Sequence, residues 1–262
     1  MKIIRYLLVA ASLLIAISGC SRVQENKDVL FQASTMNAIL ESVYDGEITY
    51  KELKQHGDFG IGTFNGLDGE LFALEGDFYQ IKADGMAYPV DDSMKTPFAV
   101  VTFFEPDKSV LLDEASDYKE LQQYLDNLLP TKDIFYAIKI EGAFKYIKAR
   151  NIPKQNKPYP QFAEVVKNQL IFEFHNVEGT IVGFRCPAYI EGINVPGYHF
   201  HFITKDKKTG GHLLECQMQN AKIEIDYTSE FHMVLPEGGQ RTEGLKRKKL
   251  QSLIPQALPS RT

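Results

Sequence analysis

The run GYHFHFITKDKKTGGHLLECQMQNAKIEID, residues 197–226, holds two strand-like segments on either side of a polar, Gly-rich loop. Apolar and aromatic residues alternate through GYHFHFIT, and the long second segment is rich in β-formers. A hairpin with a longish loop is expected here. His199 and His201 lie two apart, so an extended strand points both to one face. KDKKTGG then returns the chain. Antiparallel pairing that sets His212 opposite His201 brings three imidazoles together from adjacent strands, with paired Cβ atoms about 4.5–5.5 Å apart. Neutral imidazole nitrogens suit Zn²⁺, and three protein ligands leave a coordination position open for water or substrate. A lone histidine on a sheet reads as an ordinary polar residue. His-x-His with a third histidine across a hairpin makes a candidate metal triad, against the alternative of a polar sheet face. His56, His175 and His232 lack such partners and read as structural or surface residues.

Outward from the hairpin the pattern stays strand-rich. LIFEFHNVEGTIVGFRCP (170–187) reads as two strands joined at a turn around Asn176 to Gly179, and IFYAIKIEGAFKYIKAR (134–150) alternates in its second half. Counting by twos puts Phe144, Tyr146, Lys148 and Arg150 on one face. Further upstream, GIGTFNGL, ELFALEGDFYQIK, FAVVTFFE and VLLDE are strand-like. Four helices are expected. STMNAILESVYDG runs from a Ser34 or Thr35 cap towards Gly46, and TYKELKQHGDFG ends at Gly57. SDYKELQQYLDNLL is capped by Ser116, and PQFAEVVKNQ is short. The fold class is α+β, dominated by mostly antiparallel sheet. No repeat, low-complexity block or linker divides the chain.

The N-terminus stands apart. Lys2 and Arg5 precede the apolar YLLVAASLLIAI, which ends in Ile17-Ser18-Gly19-Cys20. This is a secretory signal that resembles a bacterial lipoprotein signal, with Cys20 as the lipid-bearing residue. The run is short for a membrane span. Residues 1–19 are therefore expected to be a signal peptide and 20–30 a tether. Residues 31–236 form the folded domain, and 237–262 a tail with the basic cluster LKRKKL. An exported, membrane-anchored location follows. The net charge of −5 gives no general pull towards nucleic acid. Of the three cysteines, Cys186 and Cys216 remain beside Cys20. Export permits a disulfide between them, but two buried free thiols are the preferred reading.

Two further residues draw attention. Arg150 closes a strand-like run and shares its counted face with Phe144 and Tyr146, so it can point into an enclosed site. Glu70 follows the Gly-rich GTFNGLDG, which lacks the spacing of a phosphate loop. Together with the histidines, GIGTFNGLDGEL, IEGAFKYIKAR, NVEGTIVGFRCPAYIEGINVPGYHFHFI and GGHLLE resemble the motifs of the α-acetolactate decarboxylase family, in order from Phe31 to Pro236. The resemblance implies zinc-dependent decarboxylation of 2-acetolactate to acetoin and CO₂, through an enediolate stabilised by the metal. It implies His199, His201 and His212 as ligands and Arg150, Glu70 and Thr63 as site residues. It also implies a metal cleft between two α/β parts, and a homodimer. The family adds a glutamate from its C-terminal tail; this tail departs from the usual ending, and Glu237 and Glu243 are only weak candidates for that place. A zinc-binding lipoprotein without catalysis and a zinc hydrolase are the alternatives of other classes.

Overall fold

The computed structural model describes residues 28–113 and 117–235. The expected signal segment, Cys20, Ser116 and the tail from residue 237 lie outside them. Among the described residues, seven strands make the first sheet. They are β1 (Val29–Ala33), β2 (Phe59–Thr63), β3 (Glu70–Leu74), β4 (Asp77–Ile81), β5 (Ala87–Pro89), β6 (Phe98–Thr102) and, from the far end of the chain, β12 (Glu230–Val234). Their order is β12-β1-β6-β2-β3-β4-β5, antiparallel throughout except for the parallel β1–β12 pair. Strand structure starts at Val29, two residues before the expected domain start, because β1 needs those residues to pair with Glu230 and Phe231.

The second sheet contains β7 (Lys108–Leu112), β8 (Phe135–Asn151), β9 (Leu170–Cys186), β10 (Gly197–Thr204) and β11 (Gly210–Thr228), in the order β10-β9-β8-β11-β7. An additional β10–β11 pairing closes β8, β9, β10 and β11 into a ring. Closure covers part of the β10 edge, while β7 stays at the other edge of the sheet. One rung runs across it without a break: Val182 faces His201, His201 faces His212, His212 faces Arg150, and Arg150 faces Ile171.

Bulges in the long strands correct two expectations. LIFEFHNVEGTIVGFRC is one continuous strand and does not turn at Asn176 to Gly179. Asn176 takes a left-handed φ of 51° and is passed over as the β8 partners step from Val177–Phe144 to His175–Tyr146. Lys145 is passed over at the same place, so the β8–β9 register is kept, but it is one residue extra against β11, where the partners step from Met218–Phe144 to Gln217–Tyr146. A residue passed over in this way breaks the period-two count. Phe144 therefore packs with Ile147 and Ala149 in the core, while Tyr146 bonds Glu173 and Lys148 pairs with Glu215 outside. Phe144 and Tyr146 do not wall a pocket beside Arg150.

The helices are shorter than expected. α1 (Met36–Leu40) is capped by Thr35, whose hydroxyl accepts the Ala38 N–H at 3.2 Å, and the chain leaves it through Ser42 at φ 67°. α2 (Tyr50–Leu53) opens on a Thr49/Glu52 capping box. α3 (Tyr118–Leu128) is capped by Asp117, which accepts the Glu120 N–H at 2.7 Å. α4 (Phe162–Lys167) lies where expected. With helix so scarce, the molecule is mostly sheet rather than evenly α+β.

A single apolar cluster joins the two sheets, with Phe59, Ile61, Phe98 and Val100 from the first meeting Ala137, Val182 and Phe184 from the second. A second cluster packs α3, through Leu121 and Leu125, onto the other side of the closed strands. Cys186 and Cys216 belong to different clusters and are buried free thiols.

Gly183 of β9 lies opposite Phe200, and a Cβ there would sit 2.0 Å from the backbone oxygen of His199. Gly183→Ala must push β10 away from β9. Overpacking of this kind costs about 1–3 kcal/mol. Urea unfolding should show a midpoint below that of the parent. An unchanged midpoint would mean that β10 shifts freely.

Candidate metal centre and pocket

The closed ring places the three histidines as the hairpin register requires. His199 and His201 project from the same face of β10, and His212 stands opposite His201 on β11. All three are buried, and one ligand nitrogen from each falls within a group spanning 4.8 Å. His199 Nε2 and His212 Nδ1 face each other at 3.2 Å. His201 Nδ1 lies 2.6 Å from the carbonyl oxygen of Leu71 in β3. A carbonyl only accepts, so Nδ1 carries the proton and Nε2 is left with a lone pair. That Nε2 is buried and has no hydrogen-bond partner, as is Nδ1 of His199. Unpartnered polar atoms cost free energy in a buried site unless a cation or a hydrogen-bond partner meets them.

Electrostatics keep the rings neutral, the form that binds a metal. Burial is the largest cause for each. It drives His201 down to about 3, with the Arg150 charge adding to it, and holds His199 and His212 well below the ordinary imidazole value. The three nitrogens, their neutrality and the unpartnered Nε2 of His201 fit a transition metal with an open position.

Arg150 and Glu70 meet across the two sheets. Arg150 Nη1 donates to Glu70 Oε1 at 2.6 Å, and the side chains are 6% and 8% exposed. Glu70 Oε2 lies 3.5 Å from His201 Nε2. Burial raises the Glu70 carboxyl above its usual range, and the guanidinium pulls against that shift. Arg150 Nε is buried without a partner, so one donor of the fork remains to be met. Sequence reasoning singled out both residues but not their pairing, because they lie on different sheets.

Thr63 pairs with Glu70 in the β2–β3 register. Its hydroxyl donates to Gly69 O at 2.7 Å, so it braces the Gly-rich turn from which Glu70 emerges. The Gln80 amide donates to Asp68 O at 2.6 Å and steadies the same turn.

A pocket of about 50 Å³ opens onto this group. That is room for a small organic molecule or a few waters, since one water needs roughly 10–15 Å³ on this measure. Thr63, Glu70, Arg150, His199 and His201 are its polar lining residues. Met36, Ile39, Leu67, Phe98, Ile152 and Phe162 are its apolar ones. Sequence reading missed these apolar residues. They come from α1, α4 and scattered strand and loop positions, and each reads alone as ordinary core. The other histidines stay outside: His56 stacks on Phe31 at 3.8 Å, His232 meets that ring edge-on, and His175 lies beside Tyr146.

Comparison with known proteins agrees with this geometry. The family model described as Alpha-acetolactate decarboxylase matches residues 30–246. The chain is 53% identical over 212 residues to an alpha-acetolactate decarboxylase of Methanosarcina mazei, covering 81% of this chain and 74% of that one. It is 52% identical over 210 residues to that of Methylococcus capsulatus, covering 80% and 81%. The crystal structure of alpha-acetolactate decarboxylase from Bacillus subtilis superposes with a TM-score of 0.85 at 39% identity, over 88% of this chain and all of the other.

Arg150→Ala leaves the Glu70 carboxylate buried without its counter-charge, and breaking such a pair costs about 3–5 kcal/mol. Glu70→Gln in the same background removes the stranded charge and should recover part of the loss. Denaturant midpoints of parent, single and double variants measure both. If the single variant is as stable as the parent, the pair is not holding the sheets together.

Proposed function

The chain belongs to the alpha-acetolactate decarboxylase family and decarboxylates 2-acetolactate to acetoin and CO₂; from that premise we propose that a zinc ion held by His199, His201 and His212 serves the reaction, together with Arg150 and Glu70. The observation carrying the metal is the buried, neutral triad whose His201 Nε2 has no hydrogen-bond partner. When bound there, zinc supplies Lewis acidity where negative charge develops on the substrate oxygens.

The remaining work falls to the chain's own residues. Acetolactate carries a carboxylate, a hydroxyl and a methyl on one carbon, beside a methyl ketone. Breaking the bond to CO₂ leaves an electron pair that enters the adjacent carbonyl as an enediolate. Protonation of the carbon that lost CO₂ gives acetoin, with one proton from solvent balancing the reaction. The unmet Arg150 Nε–H and the rest of its fork suit the substrate carboxylate. Glu70 lies against both Arg150 and His201. There it can take the hydroxyl proton and hand a proton back to carbon. Thr63 orients by holding the Glu70 turn. The apolar lining residues of the pocket suit the two methyl groups.

This assignment has a direct test. The purified protein should hold one zinc per chain and release acetoin from acetolactate. His199→Ala, His201→Ala and His212→Ala should each lose zinc and turnover, while His175→Ala keeps both. Arg150→Lys leaves a charge beside Glu70 but not the planar fork. It should keep zinc and lose turnover by roughly 30- to 1,000-fold, the loss expected of about 2–4 kcal/mol of transition-state stabilisation. Stoichiometric zinc retained in two of the three triad variants would sink the ligand set. Parent-like turnover in Arg150→Lys would sink the role of the fork.

We propose also that the protein is exported and held at a membrane by lipid on Cys20. The support is the apolar run ending in Ser18-Gly19-Cys20 behind Lys2 and Arg5. A self-paired dimer is part of the same reading, by analogy with the family. Intact-mass analysis of the mature protein should find Cys20 as the first residue, carrying acyl chains. An unmodified N-terminus anywhere else removes the anchor.

A further inference from the structure

We propose that Asn151, the last residue of β8, is a positioning residue that fixes where His212 stands in the triad. The inference rests on the zinc reading above. Asn151 follows Arg150 directly and is fully buried. Its amide nitrogen donates to the carbonyl of Gly210 at 3.0 Å. The assignment of nitrogen rather than oxygen to that contact is forced, since a carbonyl cannot donate. Gly210 is the first residue of β11, and His212 is the third.

The start of β11 meets β10 through the Thr204 N–H to Thr209 carbonyl bond at 2.9 Å, which closes the loop, and through a short pairing. That pairing spans three residues only: His201–His212, Phe202–Gly211 and Ile203–Gly210. On the other side, the β8–β11 ladder begins at His212–Arg150, and a register shift interrupts it between Leu213 and Glu215. The Asn151 side chain extends the contact with β8 past the end of the ladder. It also fills the space over Gly211, where a Cβ would lie 2.6 Å from Asn151 Oδ1 and 2.8 Å from Arg150 O. The two glycines and the asparagine therefore interlock, and the next residue along is the ligand.

Asn151 Oδ1 is buried with no hydrogen-bond partner. An unmet buried carbonyl works against folding. A residue kept for packing alone would be better served by an apolar side chain of the same shape. The amide does one thing such a side chain cannot do: it holds Gly210 O. Ligand orientation by neighbouring hydrogen bonds is a general determinant of metal affinity, and losing such a partner typically costs 10–100-fold.

The test compares parent, Asn151→Leu and Gly211→Ala. Leucine keeps the branching and the number of heavy atoms, in a bulkier form, and removes the donor. Alanine at 211 wedges the interlock from the other side. Three quantities are read: zinc affinity by competition with a chelator, the visible spectrum of the Co²⁺-substituted protein, and melting of the metal-free protein. We expect both variants to bind zinc about 10- to 100-fold more weakly and to shift the Co²⁺ bands. At saturating zinc, kcat should fall more than KM rises. Unchanged zinc affinity and an unchanged Co²⁺ spectrum, with or without a lower melting temperature, would make Asn151 a structural brace and overturn the proposal. Should Asn151→Leu not accumulate as folded protein, Asn151→Thr reads the same comparison, being smaller and too short to reach Gly210 O. A parent that takes up no zinc refutes the metal reading itself, whereas a zinc-binding parent with unaffected variants refutes only the role of Asn151.

Discussion

The register of β10 against β11 is the constraint on which the site depends. Side chains alternate faces along a strand, so a slip of one residue would send His212 to the side opposite His201. Ring closure makes such a slip expensive. β10 is held by β9 over eight residue pairs and by β11 over three, while β11 and β9 are both held by β8. Moving one pairing requires moving all four. The rung Val182–His201–His212–Arg150–Ile171 is the outcome, and it places two histidines of the triad and the arginine on consecutive strands. A site built on paired strands holds its geometry more tightly than one built on loops.

The first sheet contributes through two adjacent residues of β3. Glu70 offers its carboxylate to Arg150, and Leu71 offers its carbonyl to His201 Nδ1. One short strand thus sets both the orientation of the guanidinium and the tautomer of a triad histidine. Burying an ion pair does not by itself favour folding, because desolvation opposes the Coulombic gain. The apolar cluster shared by the two sheets carries the stability, and the ion pair selects how they meet. Thr63 and Gln80 bond the Gly69 and Asp68 carbonyls in the turn before Glu70, so the acid arrives at a fixed position.

The sequence was most legible where local pattern and tertiary need coincide. His199, His201 and His212 could be placed on one site from period-two geometry and a loop of countable length, and the structure pairs His201 with His212 as that count requires. Arg150 and Glu70 were picked out by their motifs, but their contact spans eighty positions and two sheets, which no local period encodes. The bulges at Lys145 and Asn176 defeated the same counting that succeeded in the hairpin. A polar Asn-Val-Glu-Gly run has the composition of a turn, yet the ladder on either side holds it extended. The apolar wall of the pocket was invisible for a different reason. Met36, Ile39 and Phe162 have the residue types of any core, and only the meeting of α1 and α4 beside the triad turns them into a binding surface.

That wall matters for the chemistry as much as the polar groups do. The electron pair released with CO₂ can enter the ketone only if the breaking bond stands roughly perpendicular to the carbonyl plane. Polar contacts at one end of a small molecule leave it free to rotate about the bond between the two central carbons. An apolar surface that accepts both methyl groups removes that freedom, and fixing such a rotation is a recognised source of rate enhancement. The pocket has both kinds of lining, with Arg150, Glu70, His199 and His201 joined by aliphatic and aromatic side chains. Such a lining, carried by paired strands and two short helices, suits a reaction whose difficulty lies in orientation and charge.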